Sequence, residues 1–489
     1  MKPAWERAPD LGARLVFEAI LEAADPIHLG GADPDATGDR PLARDGDGRP
    51  YLAATGLVGV LRSRYRELVC AGAVATNSED SLFGSRTTER ALQSRLMARD
   101  GRVLQAVVET ELRDGVRIDP CSGIAADKKK FDLELLPVGT QFGFWLEVDL
   151  PCDEAEASRL TEATVRLLAH LEEGSMAVGG RTRRGLGTLR VATVQGQRWR
   201  LGRFDMRSER GLVTWIREAL DPNNITRTTH EDATGLATAL GVKIAPATRS
   251  HQLSISLDLD LAGSLIVRSG GHAASEPDAV HLRRRVRSAD GDATFEPIVP
   301  GTSLAGVLRH HVLRIARTLS VAAGGLDALE RLDDLVDDLF GKTNSAGRVQ
   351  IRDGVIRGGS VLRHTRVRID PWTGGASDSL LFTEDLQYGG SMKTSLTVAA
   401  GSRTDRDRAD AALALLLLAL RDLARGDLAA GGEAGVGRGR FKAPSRPFAT
   451  LSGVIETCLA MHEGRVVSSS STALVPLFEG LGRVMKVER

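Results

Sequence analysis

Two stretches of the chain alternate strictly between apolar and polar residues, and a period of two is typical of a half-buried strand. The apolar positions are Phe142, Phe144, Leu146, Val148 and Leu150 in the first stretch and Leu253, Ile255, Leu257, Leu259 and Leu261 in the second. Successive side chains of a strand point to opposite faces, so only one face of each stretch would cover a core. The pattern predicts one such strand in each half of the chain.

Other stretches have the three- and four-residue spacing that indicates an amphipathic helix. One begins after Gly301, with Thr302 or Ser303 as the candidate N-cap, and its apolar stripe is Leu304, Leu308, Val312, Ile315 and Leu319. Helices are also predicted at 162–173 and 411–425, and each leads directly into a glycine-rich loop. The order strand, helix, strands, helix, strand predicts a ferredoxin-like α+β domain.

Four short motifs occur twice in the same order, which indicates an internal duplication. The pairs are Ala54–Arg62 with Gly301–Arg309, Leu82–Gly84 with Leu339–Gly341, Arg117–Pro120 with Arg368–Pro371, and Gly179–Gly187 with Gly431–Gly439. We therefore predict two tandem domains of the same fold. Their boundaries are predicted as domain 1–195, connector 196–250, domain 251–445 and C-terminal extension 446–489. The connector and the extension show no similarity to each other in sequence.

The charge balance excludes a uniformly basic RNA-binding protein. The 489 residues carry 64 Lys plus Arg against 64 Asp plus Glu, so any contact with nucleic acid must rest on local basic patches. Only nine basic residues are Lys and 55 are Arg. Arg forms bidentate pairs with phosphate, although a GC-rich genome produces the same bias. The longest apolar run, Ala411–Leu420, is too short to span a bilayer, and no secretory signal is visible, so we expect a cytoplasmic protein without membrane contact.

The two glycine-rich loops combine Gly with basic side chains. The basic residues in and after the loops are Arg181, Arg183, Arg184, Arg438, Arg440 and Lys442. Glycine lets the backbone approach a phosphate closely, and Arg supplies the counter-charge. Two interpretations stay open, a tight helix-to-strand connection that needs positive φ and a contact with a nucleic-acid backbone. The repetition of the loop favours the second.

Several of these motifs together resemble the RAMP superfamily, and in particular the backbone subunits of type III CRISPR effector complexes. The resemblance covers both repeats, and the tandem arrangement resembles the fused backbone subunits of type III-D-like complexes. Besides the Leu-Phe-Gly motifs and the glycine loops, it rests on Gly30-Gly31, Asp39–Asp45, Arg49–Leu52 and Pro297–Arg309.

The resemblance implies two tandem ferredoxin-like palm domains, similar to the RNA-recognition motif, each with a β-hairpin thumb insertion. It implies binding to a CRISPR guide RNA, to target RNA and to other CRISPR effector subunits. The expected RNA contacts include the loop residues above and Arg44, Arg62, Arg283 and Arg309, with Trp372 as a stacking residue in the second thumb.

The resemblance also implies that an aspartate near the start of each domain promotes cleavage of target RNA. The matching residues are Asp39 and Asp278, with Gly30 aligned to Gly270. These aspartates would hold a divalent metal, Mg²⁺ or Mn²⁺. The second copy lacks the Pro and Leu that follow Asp39, which leaves its catalytic competence open.

Two alternatives to a guide-directed endoribonuclease remain open from the sequence. The first alternative is a non-catalytic scaffold that only binds guide RNA. The second is a guide-processing nuclease in which His28 acts as the general base. The tandem architecture suits a backbone subunit better than a processing enzyme.

Overall fold

A computed structural model describes residues 10–31, 39–70, 72–74, 78–86, 91–119, 124–220, 227–244, 252–270, 277–287, 292–323, 326–399 and 406–485. The chain divides into two compact units. Unit 1 comprises 1–110, 134–180 and 187–248, and unit 2 comprises 111–133, 181–186 and 249–489. Two segments of the first sequence repeat, 111–133 and 181–186, therefore belong to unit 2.

Helices and strands alternate along both units. The helices are α1 Ala54–Cys70, α2 Glu79–Phe83, α3 Glu154–Glu172, α4 Glu209–Leu220, α5 Ala233–Leu240, α6 Gly301–Ala323, α7 Leu326–Phe340, α8 Arg406–Arg425 and α9 Val475–Met485. In the part of the chain that the structure describes, none of them is long and apolar enough to cross a membrane.

The strands before the second repeat are β1 Ala13–Ala23, β2 Tyr51–Leu52, β3 Ser85–Arg86, β4 Ala91–Leu92, β5 Leu96–Ala98, β6 Gly101–Arg102, β7 Glu111–Ile118, β8 Ala125–Leu135, β9 Gln141–Leu150, β10 Met176–Ala177, β11 Thr188–Val191, β12 Trp199–Asp205 and β13 Thr228–His230. Those of the second repeat are β14 Gln252–Leu261, β15 Ser264–Leu265, β16 Arg268–Gly270, β17 Ala279–His281, β18 Arg283–Arg287, β19 Ala293–Val299, β20 Gly341–Lys342, β21 Ser345–Ala346, β22 Val349–Ile351, β23 Gly354–Arg357, β24 Ser360–Ile369, β25 Ala376–Tyr388, β26 Ser391–Ala399, β27 Phe441–Lys442, β28 Ala449–Gly453, β29 Thr457–His462 and β30 Arg465–Ser468.

Unit 1 is organised around β1, which pairs antiparallel with β9 on one side and with β11 on the other, while β5 pairs with the far side of β9. This order is that of a ferredoxin-like sheet. The alternating residues of β1 and β9 and the apolar stripes of α1 and α3 share one buried core, which includes Leu15, Phe17, Leu61, Leu168 and Trp199.

Unit 2 repeats this arrangement around β14, which lies between β26 and β27, with β22 beyond β26. Leu253, Ile255, Leu257, Leu259 and Leu261 are all buried in its core together with the apolar stripes of α6 and α8. The α+β class with two ferredoxin-like domains is therefore confirmed.

The segments expected to be a connector and an extension correspond to each other in the structure, and the sequence analysis missed this. Within unit 1, β12 pairs with β1 and with β13. Within unit 2, β28 pairs with β14 and with β29. Each segment also adds a helix to its unit's core, through Leu236 of α5 and Leu477 of α9. The two segments occupy equivalent strand positions but differ in sequence, so no repeated motif indicated that they correspond.

An aspartate from a neighbouring turn caps the first long helix of each unit. The Ala54 N–H donates to Asp100 Oδ1 at 2.7 Å, and the Gly301 N–H donates to Asp353 Oδ1 at 2.9 Å. The predicted cap of α6 at Thr302 or Ser303 is wrong, because α6 already begins at Gly301 and takes its capping carboxylate from a residue remote in sequence.

The last glycine of each glycine loop crosses close to another backbone segment. Gly187 donates its N–H to Pro26 O at 2.9 Å, and Gly439 donates to Ser264 O at 2.8 Å. Both glycines have positive φ, 86° and 70°. A Cβ on Gly439 would lie 1.9 Å from Ala430 O. Glycine is therefore required at these two positions by backbone geometry alone.

We predict that Gly439→Ala lowers the free energy of unfolding by about 2 kcal/mol or more, because the side chain adds left-handed backbone strain and a steric overlap. Gly435→Ala is the matched control, since a Cβ on Gly435 of the same loop meets nothing within 4 Å. Urea denaturation followed by circular dichroism measures both. Equal stability of the two variants would contradict the requirement for glycine at position 439.

Candidate nucleic-acid interface

In unit 1 a short extended segment after β1, residues 26–29, holds two loops by its backbone; we call it the crossing segment. His28 O accepts the Gly180 N–H of the glycine loop at 2.8 Å. The next carbonyl, Leu29 O, accepts the Ala43 N–H at 2.6 Å. The glycine loop and the loop that contains the first predicted catalytic aspartate are therefore fixed to the same four residues.

The Asp39 loop is anchored by a residue that the sequence analysis did not identify, Glu134 at the end of β8. Asp39 is exposed, and the carbonyl of the following residue, Arg40, accepts the Glu134 N–H at 3.2 Å. Glu134 Oε2 accepts the Leu42 N–H at 2.9 Å, and Oε1 lies 2.5 Å from Arg44 Nη2. The guanidinium of Arg44, a predicted RNA contact, thus positions this loop in the structure.

Asp278 occupies the corresponding place in unit 2. It is exposed, and its Oδ2 accepts the Thr383 N–H at 2.7 Å. Two residues later Val280 pairs in parallel with Asp385 of β25. The Arg283 guanidinium helps to hold the pKa of Asp385 below its usual range, after the larger effect of the hydrogen bonds from Arg363. In both units, therefore, an acidic residue on the second strand of a hairpin lies near an arginine of the aspartate loop. The pairs are Glu134 with Arg44 and Asp385 with Arg283.

The strand registers define how the two loops correspond. Leu42 forms a bridge with Gly30, and His281 pairs with Arg268. Each predicted catalytic aspartate lies three residues before this pair, which supports their alignment. The counterpart of Gly30 is thus Arg268, and its sequence alignment with Gly270 is corrected by two residues.

The donor atoms near these aspartates do not form a metal site by themselves. Among the described residues no group of three or more His, Cys, Asp or Glu side chains is placed to hold a metal ion. One oxygen of Asp278 is already hydrogen-bonded to the backbone. The predicted Mg²⁺ or Mn²⁺ stays a prediction, and we derive no step through it.

The basic residues of the first glycine loop belong to unit 2 and are largely exposed. Arg181 has a left-handed backbone, φ 59°, and its guanidinium lies 4.3 Å from the centre of the Phe131 ring. Arg183 and Arg184 follow on one turn of 3₁₀ helix, and both are exposed. This turn therefore presents two cationic side chains to solvent.

The second glycine loop has the same backbone and different chemistry. Glu433, φ 61°, stands where the first loop has Arg181. Arg438 is 5% exposed, and its Nη1 lies 2.8 Å from Glu384 and 2.5 Å from Glu433. This geometry does not support the predicted RNA contact of Arg438, because two carboxylates already surround the buried guanidinium. Arg440 is exposed and donates to Gly426 O.

The arginines on the first helices connect each helix to the Leu-Phe-Gly region that follows it. Arg62 Nε donates to Glu79 at 2.8 Å. Arg309 donates to Asp337 at 2.6 Å and also to Gly341 O. These ion pairs give the repeated arginines a structural role, and their predicted RNA contacts stay predictions. The remaining predicted contacts, on β18 and β27, are the exposed Arg283 and Lys442.

The third repeated motif lies at the tip of a β-hairpin in both cases. Asp119 N–H donates to Ile124 O at 2.8 Å, and Asp370 N–H donates to Gly375 O at 2.9 Å. The β24–β25 hairpin is exposed along nearly all of β24, and Trp372 at its tip is 93% exposed. An indole that open to solvent has no packing role within the described residues, so the predicted stacking role remains available to it.

The histidine of the processing alternative is poorly placed for catalysis. His28 is 7% exposed, and its Nδ1 lies 3.0 Å from Glu134 O. Its ring packs against the backbone of Gly180. A general base must reach the hydroxyl that it deprotonates, so this geometry gives the processing alternative no support.

A comparison with protein-family models finds a match over both repeats. The model described as the RAMP superfamily matches residues 20–190 and 282–442, more than half of the chain. These two ranges cover the aspartate loop of the first repeat and the glycine loops of both. A search of the curated proteins finds no match to this chain.

We predict that His281→Leu makes the protein more resistant to acid. Burial, together with the neighbouring Arg283, lowers the pKa of His281 to about 4. The unfolded chain therefore binds a proton that the folded chain does not, and stability is lost as the pH falls from about 6.5 to 4, by about 1.4 kcal/mol per unit. Leu42 occupies the same position in unit 1, so leucine fits this site.

Urea denaturation of both proteins at pH 7.5, 6 and 5 measures this effect. Removal of the histidine also removes the hydrogen bond from the Val267 N–H, which lowers stability equally at every pH. As the pH falls from 7.5 to 5, the free energy of unfolding of the variant should therefore rise relative to that of the wild-type protein. A difference that is constant from pH 7.5 to 5 would refute the assignment.

Proposed function

Because the chain belongs to the RAMP superfamily, we propose that it is a guide-RNA-binding backbone subunit of a type III CRISPR effector complex that cleaves target RNA. Membership in the superfamily implies a CRISPR-associated, RNA-binding subunit. The proposal adds the type of complex, the cleavage activity and the residues. The presence of two matching regions in one chain favours the fused, type III-D-like arrangement.

The observation that carries the cleavage proposal is the equivalent placement of Asp39 and Asp278. Each is exposed, and each lies three residues before the residue that pairs its loop with the position just after the crossing segment. A second anchor, Glu134 or Asp385, holds each loop from the hairpin strand. An exposed carboxylate on a loop fixed from two sides suits a residue that must be positioned against a bound strand.

RNA binding is proposed to rest on phosphate contacts that do not depend on sequence. The first glycine loop offers the exposed Arg183 and Arg184, and the second hairpin offers Trp372 for stacking. Arginine pairs with phosphate oxygens, and base–aromatic stacking tolerates any base. The paired first-helix arginines, Arg62 and Arg309, contribute less because acids already engage them.

The proposed reaction is attack of a ribose 2′-hydroxyl on the adjacent phosphorus. The 2′-oxygen forms a bond to phosphorus while the bond to the 5′-oxygen of the next nucleotide breaks. The aspartate accepts the proton from the 2′-hydroxyl, and solvent supplies a proton to the leaving oxygen. The anchored loop would hold the carboxylate in place while the bound strand takes the in-line geometry.

A scaffold without catalysis is the second candidate, and the differences in unit 2 favour it there. His281 replaces the leucine found after Asp39, and Asp278 already accepts a backbone N–H. A chain with one catalytic unit and one structural unit is the intermediate case.

We predict that Asp39→Asn removes one cleavage product of a guide-complementary RNA, and that Asp278→Asn removes another, while RNA binding is retained. The amide keeps the shape of the side chain and cannot accept the proton. Asp47→Asn is the matched control, because this exposed acid lies in the same loop region, where its N–H donates to Asp45 Oδ1. Denaturing gels of the purified complex with labelled RNA separate the products.

Loss of one product only would leave one catalytic unit. Unchanged products in both variants would contradict the assignment of these aspartates and would favour the scaffold alternative for this chain. The same gels with a chelator test the predicted divalent metal, since cleavage that continues without it would remove that part of the proposal.

We predict that Arg183→Gln combined with Arg184→Gln weakens RNA binding to the same extent for unrelated sequences and reduces the salt dependence. The slope of log K against log salt should fall by about 0.7 for each lost phosphate contact with a single strand. Arg210→Gln with Arg217→Gln on α4 is the control of equal charge. Fluorescence anisotropy from 50 to 300 mM salt measures both, and equal slopes would contradict the proposal.

A further inference from the structure

A short turn in unit 1 corresponds to a β-ribbon in unit 2, and both follow the aspartate loop directly. In unit 1 the bridge between Arg44 and Pro50 closes residues 45–49 into the turn. In unit 2 the equivalent pair is Arg283 with Pro297, and it is the first of five consecutive pairs between β18 and β19. These two strands, which we call the basic ribbon, therefore extend unit 2 at a place where unit 1 has a turn.

The turn of unit 1 is acidic and closed on itself. Asp45 Oδ1 accepts the N–H groups of Asp47 at 3.0 Å and of Arg49 at 2.9 Å. Unit 1 completes its sheet and its aspartate loop with this turn. The fold itself therefore does not explain why unit 2 has a ribbon.

One face of the basic ribbon carries three arginines and a phenylalanine. Residues paired directly across two strands lie on the same face, and so do residues two positions apart along a strand. Three pairs therefore share one face of the ribbon, and they are Arg283–Pro297, Arg285–Phe295 and Arg287–Ala293. The Arg285 guanidinium lies 5.8 Å from the centre of the Phe295 ring, which agrees with this placement.

The contacts that hold the basic ribbon include one on its other face and one at its edge. On the other face, Arg284 Nη2 lies 2.8 Å from Glu296 Oε2. At the edge, the Arg285 N–H donates to Glu111 Oε2 at 3.1 Å. Glu296 is the acidic residue among the paired positions of the ribbon, and it faces away from Phe295.

The basic ribbon is joined to the aspartate loop through Leu282. The Leu282 N–H donates to Val267 O at 2.8 Å, and its carbonyl accepts the Ile298 N–H at 3.2 Å. Both ends of the ribbon are thus fixed to the sheet beside this loop. A strand bound to the ribbon would therefore be held at a defined position relative to Asp278.

The aromatic side chain of this face is open to solvent. Phe295 is 56% exposed, although phenylalanine is commonly buried. The three arginines follow each other about 6.6 Å apart along β18, and like charges at such a distance repel each other. A ligand with both negative charge and a flat apolar surface would satisfy the whole face.

Single-stranded nucleic acid has this combination of groups. Its phosphates pair with arginine, and its bases stack on aromatic rings whatever the sequence. A paired A-form helix fits less well, since its bases are stacked on each other and side chains cannot read its narrow major groove. An acidic peptide would supply negative charge without a flat surface for Phe295.

We propose that the face of the basic ribbon binds single-stranded RNA beside the aspartate loop of unit 2, with a base stacked on Phe295 and phosphates paired with Arg283, Arg285 and Arg287. The inference rests on the RNA binding of the proposed function and does not depend on cleavage. Guide RNA and target RNA have the same chemistry, so the experiment labels each in turn.

Photo-crosslinking in the assembled complex tests the proposal. The probe is RNA with a single 5-iodouridine, which crosslinks to a stacked aromatic ring, placed at successive positions of the guide or of the target. Mass spectrometry should find RNA on the tryptic peptide 288–309, which contains Phe295. Arg285→Gln with Arg287→Gln keeps the ring that accepts the crosslink and should lower the yield about tenfold. Arg317→Gln with Arg465→Gln is the control, because it removes the same charge from exposed positions of unit 2.

A binding measurement tests the stacking separately. Phe295→Leu keeps an apolar side chain and removes the ring, so it should weaken the binding of a labelled oligouridine to the full chain about tenfold, whereas Phe295→Trp should retain it. Phe478→Leu on α9 is the matched control, since that ring is 42% exposed. Fluorescence anisotropy measures the affinities.

Each outcome supports or overturns the proposal. A crosslink on peptide 288–309 from either strand supports it and identifies the strand. Absence of that crosslink, an equal yield in the Arg285 and Arg287 variant, or equal affinities of Phe295→Leu and Phe478→Leu would refute it. Loss of a protein subunit from the complex of the arginine variant, with RNA retained, would assign the face to a protein. A wild-type complex without co-purified RNA would instead show failure of the proposed function.

Discussion

In each unit the glycine loop and the aspartate loop both depend on the crossing segment after the central strand, which is residues 26–29 in unit 1 and its counterpart, residues 264–267, in unit 2. Its carbonyl groups accept the N–H groups of the glycine loop on one side and of the aspartate loop on the other. These bonds require a closely approaching backbone, and Gly187 and Gly439 satisfy that requirement because they have no side chain and take positive φ. The relative position of the two loops in each unit is therefore set by backbone geometry, which leaves the side chains of the loops free to differ.

Much of the scaffold could be predicted from the sequence because it follows from periodicity. The alternation from Leu253 to Leu261 predicts β14, and the stripe that begins at Leu304 predicts α6, since burial of one face imposes a strict spacing. The repeated glycines and the repeated Arg-Ile-Asp-Pro motif were also found in the sequence, whereas the location of that motif at hairpin tips came from the structure. The pairing of Asp39 with Asp278 came from the family resemblance and not from physical reasoning on the residues, and the strand registers agree with it.

The remaining features depend on contacts between residues remote in sequence, and no local pattern reports them. Glu134 anchors the first aspartate loop from the end of a hairpin strand, 90 positions from Arg44. Arg438 looked like a phosphate contact because it lies among glycines, whereas the fold buries it between two carboxylates. The added strands β12 and β28 were missed because strand pairing needs a shared register and not shared residues.

The duplication within one polypeptide has a consequence for how the two halves evolve. In a filament of identical subunits every mutation appears at all equivalent positions, so a change that helps one neighbour must be tolerated by every other. Here a substitution affects one half only, as with histidine at 281 opposite leucine at 42 and glutamate at 433 opposite arginine at 181. The two halves are also produced in a fixed ratio and a fixed order. Genetic linkage thus replaces symmetry as the source of stoichiometry and allows each half to specialise.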